Sequence, residues 1–149
     1  MRLTRATDYA VRVLSYLGAQ PAGSRVTRQE LIDQASVPPA FLNKIIRSLA
    51  HAGLVKARPG VNGGCLLAAP PEEISLLRIV ESMEGPIDLH VCLRDASACG
   101  RSRCCSFRSV LAGLQTEIVR ALGSVTIADL LRDAQQPTLI EATEISKTT

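Results

Sequence analysis

The stretch "VPPAFLNKIIRSLAHAGLVKARPGVNGGCLLAA", Val37 to Ala69, carries the signature on which the fold depends. Its paired prolines suit the entry to a helix, where a missing N–H costs little. Behind them Leu42, Ile45, Ile46 and Leu49 recur at helical spacing, while Ala40, Asn43, Lys44, Arg47 and His51 form the opposite stripe. Gly53 closes the helix, and two extended runs, "LVKAR" and "CLLAA", flank the glycine-rich turn "PGVNGG". One stripe is made for packing. The other offers a small residue, an amide and cations on one face, which is what reading base edges requires.

Upstream, "TRQELIDQA" opens with a capping-box pattern, Thr27 with Glu30 three residues on, so a short helix ends just before the prolines. Before that, Ala6, Tyr9, Ala10, Val13, Leu14 and Leu17 mark an opening helix, capped by Thr4 and ended by "QPAGS". Asp8 and Arg12 lie off that stripe. Helix, short helix, turn, helix and two-stranded ribbon make a winged helix-turn-helix.

Downstream, Leu76, Ile79, Val80 and Met83 give one more amphipathic helix. A long helix follows a cysteine-rich loop, with Phe107, Leu111, Leu114, Ile118 and Ala121 alternating by four and three, the spacing of a helix lying along another helix. "TIADLLRDA" closes as a capped helix. The expected fold class is therefore mainly α: a winged helix DNA-binding domain over residues 1–86, a cysteine loop over 87–105, a dimerisation helix and closing helix over 106–133, and a C-terminal tail over 134–149.

Charge is divided unevenly along the 149 residues: positions 1–64 hold nine Lys/Arg against three acids, or +6, and the remainder is −3. A basic half points to a polyanion. With two Phe, two Tyr and no Trp, stacking on unpaired bases is a poor mode, so duplex DNA is the expected partner. No apolar run is long enough to span a membrane, and the charged start does not suit a signal peptide, so a cytoplasmic protein without a membrane partner is expected.

In a reducing compartment, clustered cysteines serve as metal ligands or redox centres more often than as disulfides. Cys92, Cys99 and Cys105 are separated by six and then five residues, with Cys104 adjacent to the last. The close C-x2-C pairs usual for zinc are absent. Even, wider spacing can wrap a larger object, and thiolates are the ligands of iron-sulfur clusters. Spacing alone leaves zinc, a cluster and free thiols all open.

Over nearly its full length the chain resembles the bacterial winged-helix regulators that include IscR and NsrR, which bind iron-sulfur clusters and control transcription. The matching segments are "MRLTRATDYAVRVL", "VPPAFLNKIIRSLAHAGLV", "GVNGGCLLA", the cysteine loop and "TIADLL". The resemblance implies a homodimer in which Cys92, Cys99 and Cys105 hold a cluster with a fourth ligand that varies between branches. The IscR-like branch places a histidine three residues after the last cysteine; here that residue is Arg108, a cation that cannot coordinate iron. The NsrR-like branch uses an aspartate of the first helix, donated across the dimer, and Asp8 occupies that position. A 4Fe-4S cluster is thus favoured over 2Fe-2S, and His90 and Cys104 are lesser candidates.

These readings together predict a dimeric, non-enzymatic regulator, a repressor of genes answering nitric oxide, oxygen or iron stress. Arg28, Arg47 and Arg58 are expected on phosphates of a palindromic site, and Asn43 and Lys44 on base edges beside Ala40. Gly60 and Asn62 stand at the wing tip, by the minor groove. Where the IscR-like branch has Ser, Glu and Gln, this chain has Ala40, Asn43 and Lys44, so a different operator is expected. Cys65, at the wing base, reads as packing. The rival expectations are a clusterless regulator that senses oxidation through Cys104 and Cys105 or binds a small molecule or protein, and an iron-sulfur electron carrier.

Overall fold

A stripe of Ala10, Val13, Leu14 and Leu17 gives α1 (Arg5–Gly18) one fully buried face. It packs on the matching face of α3 (Pro39–His51), where Leu42, Ile45, Ile46 and Leu49 are buried. Each Leu or Ile so covered contributes roughly 1.5–3 kcal/mol. The computed structural model describes residues 3–60, 63–102 and 104–134; Asn62 and the expected tail from residue 135 onward lie outside the described residues.

Between them α2 (Arg28–Gln34) starts in the anticipated capping box: the Thr27 N–H donates to Glu30 Oε2 at 2.7 Å, and the Glu30 N–H donates to Thr27 Oγ1 at 3.2 Å. The turn into α3 passes through Ser36 at φ 52°, a left-handed conformation that swings buried Val37 into the core. β1 (Val55–Arg58) and β2 (Gly64–Leu67) then pair antiparallel, Val55 opposite Leu67 and Arg58 opposite Gly64. Val26 extends the ribbon at its base, exchanging main-chain hydrogen bonds of 2.9 and 2.8 Å with Cys65. At the wing turn a Cβ on Gly63 would lie 2.7 Å from the Gly60 carbonyl oxygen, so only glycine fits there.

α4 (Leu76–Glu84) is capped by Ser75 and buries Ile79 and Val80. The cysteine segment, expected as a loop, contains a four-residue helix, α5 (Val91–Arg94), and a 3-10 turn at Ala96–Ala98. Both are nucleated by local side chains: His90 Nδ1 accepts the Cys92 N–H at 3.3 Å, and Asp95 Oδ1 accepts the Ser97 N–H at 2.9 Å. Hydropathy periodicity is blind to elements this short.

α6 (Ser106–Ser124) runs 19 residues without one buried side chain. α7 (Ile127–Asp133) instead returns to the winged helix body. Its capping box of Thr126 and Asp129 places Ile127 in the core, and the Ile127 N–H donates to the Ile74 carbonyl at 2.9 Å. Ile127→Ala should therefore destabilise the winged domain by about 2–5 kcal/mol in urea unfolding, whereas truncating Thr116 on exposed α6 should leave it within about 0.5 kcal/mol.

Candidate DNA interface and cysteine centre

On α3 the buried face fixes which residues point outward. Ala40, Asn43, Lys44, Arg47 and His51 are all exposed on the opposite side, so the structure brings the predicted reading residues onto one surface. Arg28 stands exposed at the first position of α2, and Arg58 ends β1 beside Gly60, whose φ of 108° turns the wing. Asn62 of the same tip falls outside the described residues. Sequence reading missed a further cation here. Arg78 of α4 donates to the Ala52 carbonyl at 3.3 Å and lines, with Arg47, His51 and Glu81, an open cleft of about 600 Å³ along the reading helix. Cys65 is buried in β2, and burial pushes its thiol up, against a weaker opposing pull from Arg28, consistent with packing.

All five cysteines are free. Cys92 is buried in α5, Cys99 and Cys105 are half-buried, and Cys104 is exposed. Cys105 is the N-cap of α6, where the helix dipole favours negative charge. Asp8 projects from α1 with about half its side chain exposed and, among the described residues, pairs with Arg12 at 2.9 Å. An exposed i,i+4 ion pair of that kind holds a carboxylate weakly. Among the described residues no three His, Cys, Asp or Glu side chains converge to hold a metal within a single chain. The donor set nonetheless fits thiophilic iron in its chemistry: three uncommitted thiols on one segment and a loosely held carboxylate on α1. His90 caps α5 through Nδ1, which accepts the Cys92 N–H. Arg108, where a histidine ligand would stand in one branch, donates through Nε to the Cys92 carbonyl at 3.0 Å.

A second feature escaped the sequence. Glu84, the last residue of α4, accepts the Thr4 N–H at 3.0 Å, the Thr4 hydroxyl at 2.6 Å and the Thr7 hydroxyl, all on Oε1. Thr4 does stand at the N-cap of α1, but its hydroxyl goes to α4 instead of to its own helix. Thr7 is the buried polar side chain of the core, so this carboxylate satisfies a group that would otherwise be costly. No periodicity announces such a contact across 80 residues of chain.

Comparison with known proteins adds the context. Residues 3–133 match the family model described as "Rrf2: Iron-dependent Transcriptional regulator". The HTH-type transcriptional regulator NsrR of Shouchella clausii (strain KSM-K16) is 31% identical over 132 residues, covering 88% of this chain and 89% of that protein. Among solved structures, T. potens IscR superposes with a TM-score of 0.69 at 24% identity, covering 95% of this chain and 96% of that one. CymR, the global cysteine regulator of B. subtilis, gives 0.69 at 20% identity over 89% and 98%.

The Glu84 contacts predict a pH dependence. The Thr4 hydroxyl first, then that of Thr7, hold its carboxyl below the usual 4.5 against the opposing effect of burial, with lesser help from the Thr4 N–H and the charge of Lys44. A depressed carboxyl stabilises the fold fully above the usual value and loses that contribution as pH falls through its lowered one. Glu84→Gln should therefore melt below wild type at pH 7, and the gap should close as melting is followed below pH 4.5.

Proposed function

Because the chain belongs to the Rrf2 family of transcriptional regulators, we propose that it acts as a homodimeric repressor whose hold on a palindromic promoter depends on an iron-sulfur cluster. The observation that carries this reading is one chain's combination of an exposed basic reading face with three free thiols, at positions 92, 99 and 105, on the segment leading into α6. Cys92, Cys99 and Cys105 would hold the cluster, 4Fe-4S in preference to 2Fe-2S, with Asp8 contributed by the other subunit. When bound, such a cluster supplies an iron that nitric oxide or oxygen attacks and that iron scarcity removes.

The chain's own residues supply the coupling. Asp8 has two alternative partners, Arg12 on its own helix and the metal centre of a dimer. Its neighbour Tyr9 packs on Phe41 of α3 with ring centroids 5.6 Å apart. Whichever partner holds Asp8 thus bears on the setting of the reading helix, and with it the spacing of two half-sites. Dimerisation falls to α6, whose exposed Phe107, Val110 and Leu114 line one face at 63, 59 and 53% exposure. Val110 joins the stripe that the sequence pattern had given to Leu111. So large an apolar row on the outer face of a helix marks an association surface.

On the DNA side, Arg28→Ala should weaken binding to all sequences alike and lower the salt slope of log K by about one. Asn43→Ala should instead cost about 1–3 kcal/mol on the preferred site and relax sequence choice, read by competition binding. Leu114→Glu should yield monomers in sedimentation and abolish tight binding to the full palindrome while leaving weak half-site binding.

The decisive experiment is anaerobic purification with spectra, iron and sulfide counts and promoter binding of wild type and Asp8→Ala. Wild type should be brown with matching iron and sulfide, and the variant should lose its cluster faster. Zinc or metal-free protein from protected preparations would remove the cluster from this account. Promoter binding unchanged by cluster loss would remove its regulatory role. A colourless protein that leaves DNA on thiol oxidation would point to Cys104 and Cys105 instead.

A further inference from the structure

α6 does more than offer an outer face. On its inner side Arg108 and Gln115, two helical turns apart and so on the same edge, each reach the main chain of the segment entering the cysteine region. The Arg108 Nε–H donates to the Cys92 carbonyl at 3.0 Å, and Gln115 Oε1 accepts the Leu89 N–H at 3.0 Å. The two rungs bracket residues 89–92, and both are partly buried. Among the described residues between Cys92 and Cys105, Arg94 pairs with Asp88 at 3.4 Å, and the further side-chain contacts are short-range ones such as Asp95 to Ser97 and Ser102 to the Ala96 carbonyl at 2.7 Å. Closing a segment of that length costs conformational entropy whenever the ends are not already joined.

The geometry points to Arg108 and Gln115 as positioning residues that preset Cys92, through its backbone, as the fixed member of the thiol set before any metal arrives. Cys92 is the buried thiol of the set and is tied to α6 by a long-range hydrogen bond to its carbonyl, Cys105 is attached to the same helix as its N-cap, and Cys99 stands half-buried between them in sequence. The replacement of a ligating side chain by Arg108 therefore exchanges coordination for preorganisation. Arg108 follows Cys105 by three residues, so one guanidinium links the two ends of the cysteine segment. Gln115, neutral and with a single accepting rung, is the weaker of the two.

This inference rests on the cluster reading only for its consequence, not for the clamp itself, and the test separates them. In the full-length, cluster-free dimer, alkylation of each cysteine is followed with iodoacetamide by mass spectrometry, with Cys65 and Cys104 as internal controls. Arg108→Ala should speed modification of Cys92 about tenfold, the factor expected for one charge-assisted hydrogen bond to a backbone carbonyl. Gln115→Ala should give about threefold, and Arg108→Lys should recover part of the protection. Buried Cys65 in the wing should not change. Equal acceleration at Cys65 would mean general destabilisation and would overturn the proposal, as would an unchanged Cys92 rate. In the loaded protein, Arg108→Ala should shorten the cluster half-life under chelator by about the same factor. A wild type that carries a cluster and an Arg108→Ala form that keeps it as long would refute preorganisation while leaving the proposed function standing; a wild type with no cluster would do the reverse.

Discussion

The packing of α1 against α3 is the constraint from which the rest follows. Leu14 and Val13 on one side and Ile45, Leu42 and Leu49 on the other are removed from water almost completely. That shared apolar seam decides two outward faces at once. Asp8 and Arg12 are left on the far side of α1, and Asn43, Lys44 and Arg47 on the far side of α3. Close-packed interiors do not deform gradually, so a pull on one helix cannot be absorbed at the seam and must move the other. The proposed sensing carboxylate and the reading residues are therefore two ends of one rigid pair.

Polar contacts tie the remaining parts to that pair. Glu84 joins the end of α4 to the beginning of α1, and Lys44 of the reading helix is near enough to help hold its carboxyl ionised. One residue further, Gly85 at φ 82° turns the chain toward the cysteine segment. Arg108 and Gln115 then hold the entry of that segment to α6. A series of named links thus runs from the reading helix through α1 and α4 to the cysteine segment: packed side chains, the Glu84 hydrogen bonds and the chain itself at Gly85.

α6 stands apart in character. It is the longest helix described, yet buries no residue, while α7, shorter by more than half, places Ile127 at the centre of the core. Most of the stability of a helix such as α6 comes from packing a face, not from intrinsic propensity. The apolar outer row and polar inner clamp of α6 make sense together if the outer row is covered by a second copy.

Sequence alone determined the elements whose signals are local: the capping boxes at Thr27 and Thr126, the two-striped reading helix, the glycine turn of the wing, and the cysteine count and spacing. Each is written within a few residues, because helix periodicity, caps and turns are short-range physics. Tertiary structure decided what depends on residues distant in the chain. It gave Thr4 and Thr7 to Glu84, made Arg108 a backbone clamp, added Arg78 beside the reading helix, and drew α7 back into the winged domain while leaving α6 outside. These contacts join partners 16 to 80 positions apart, and no pattern along the chain records them, since a hydrogen bond between distant side chains requires only that packing bring them together.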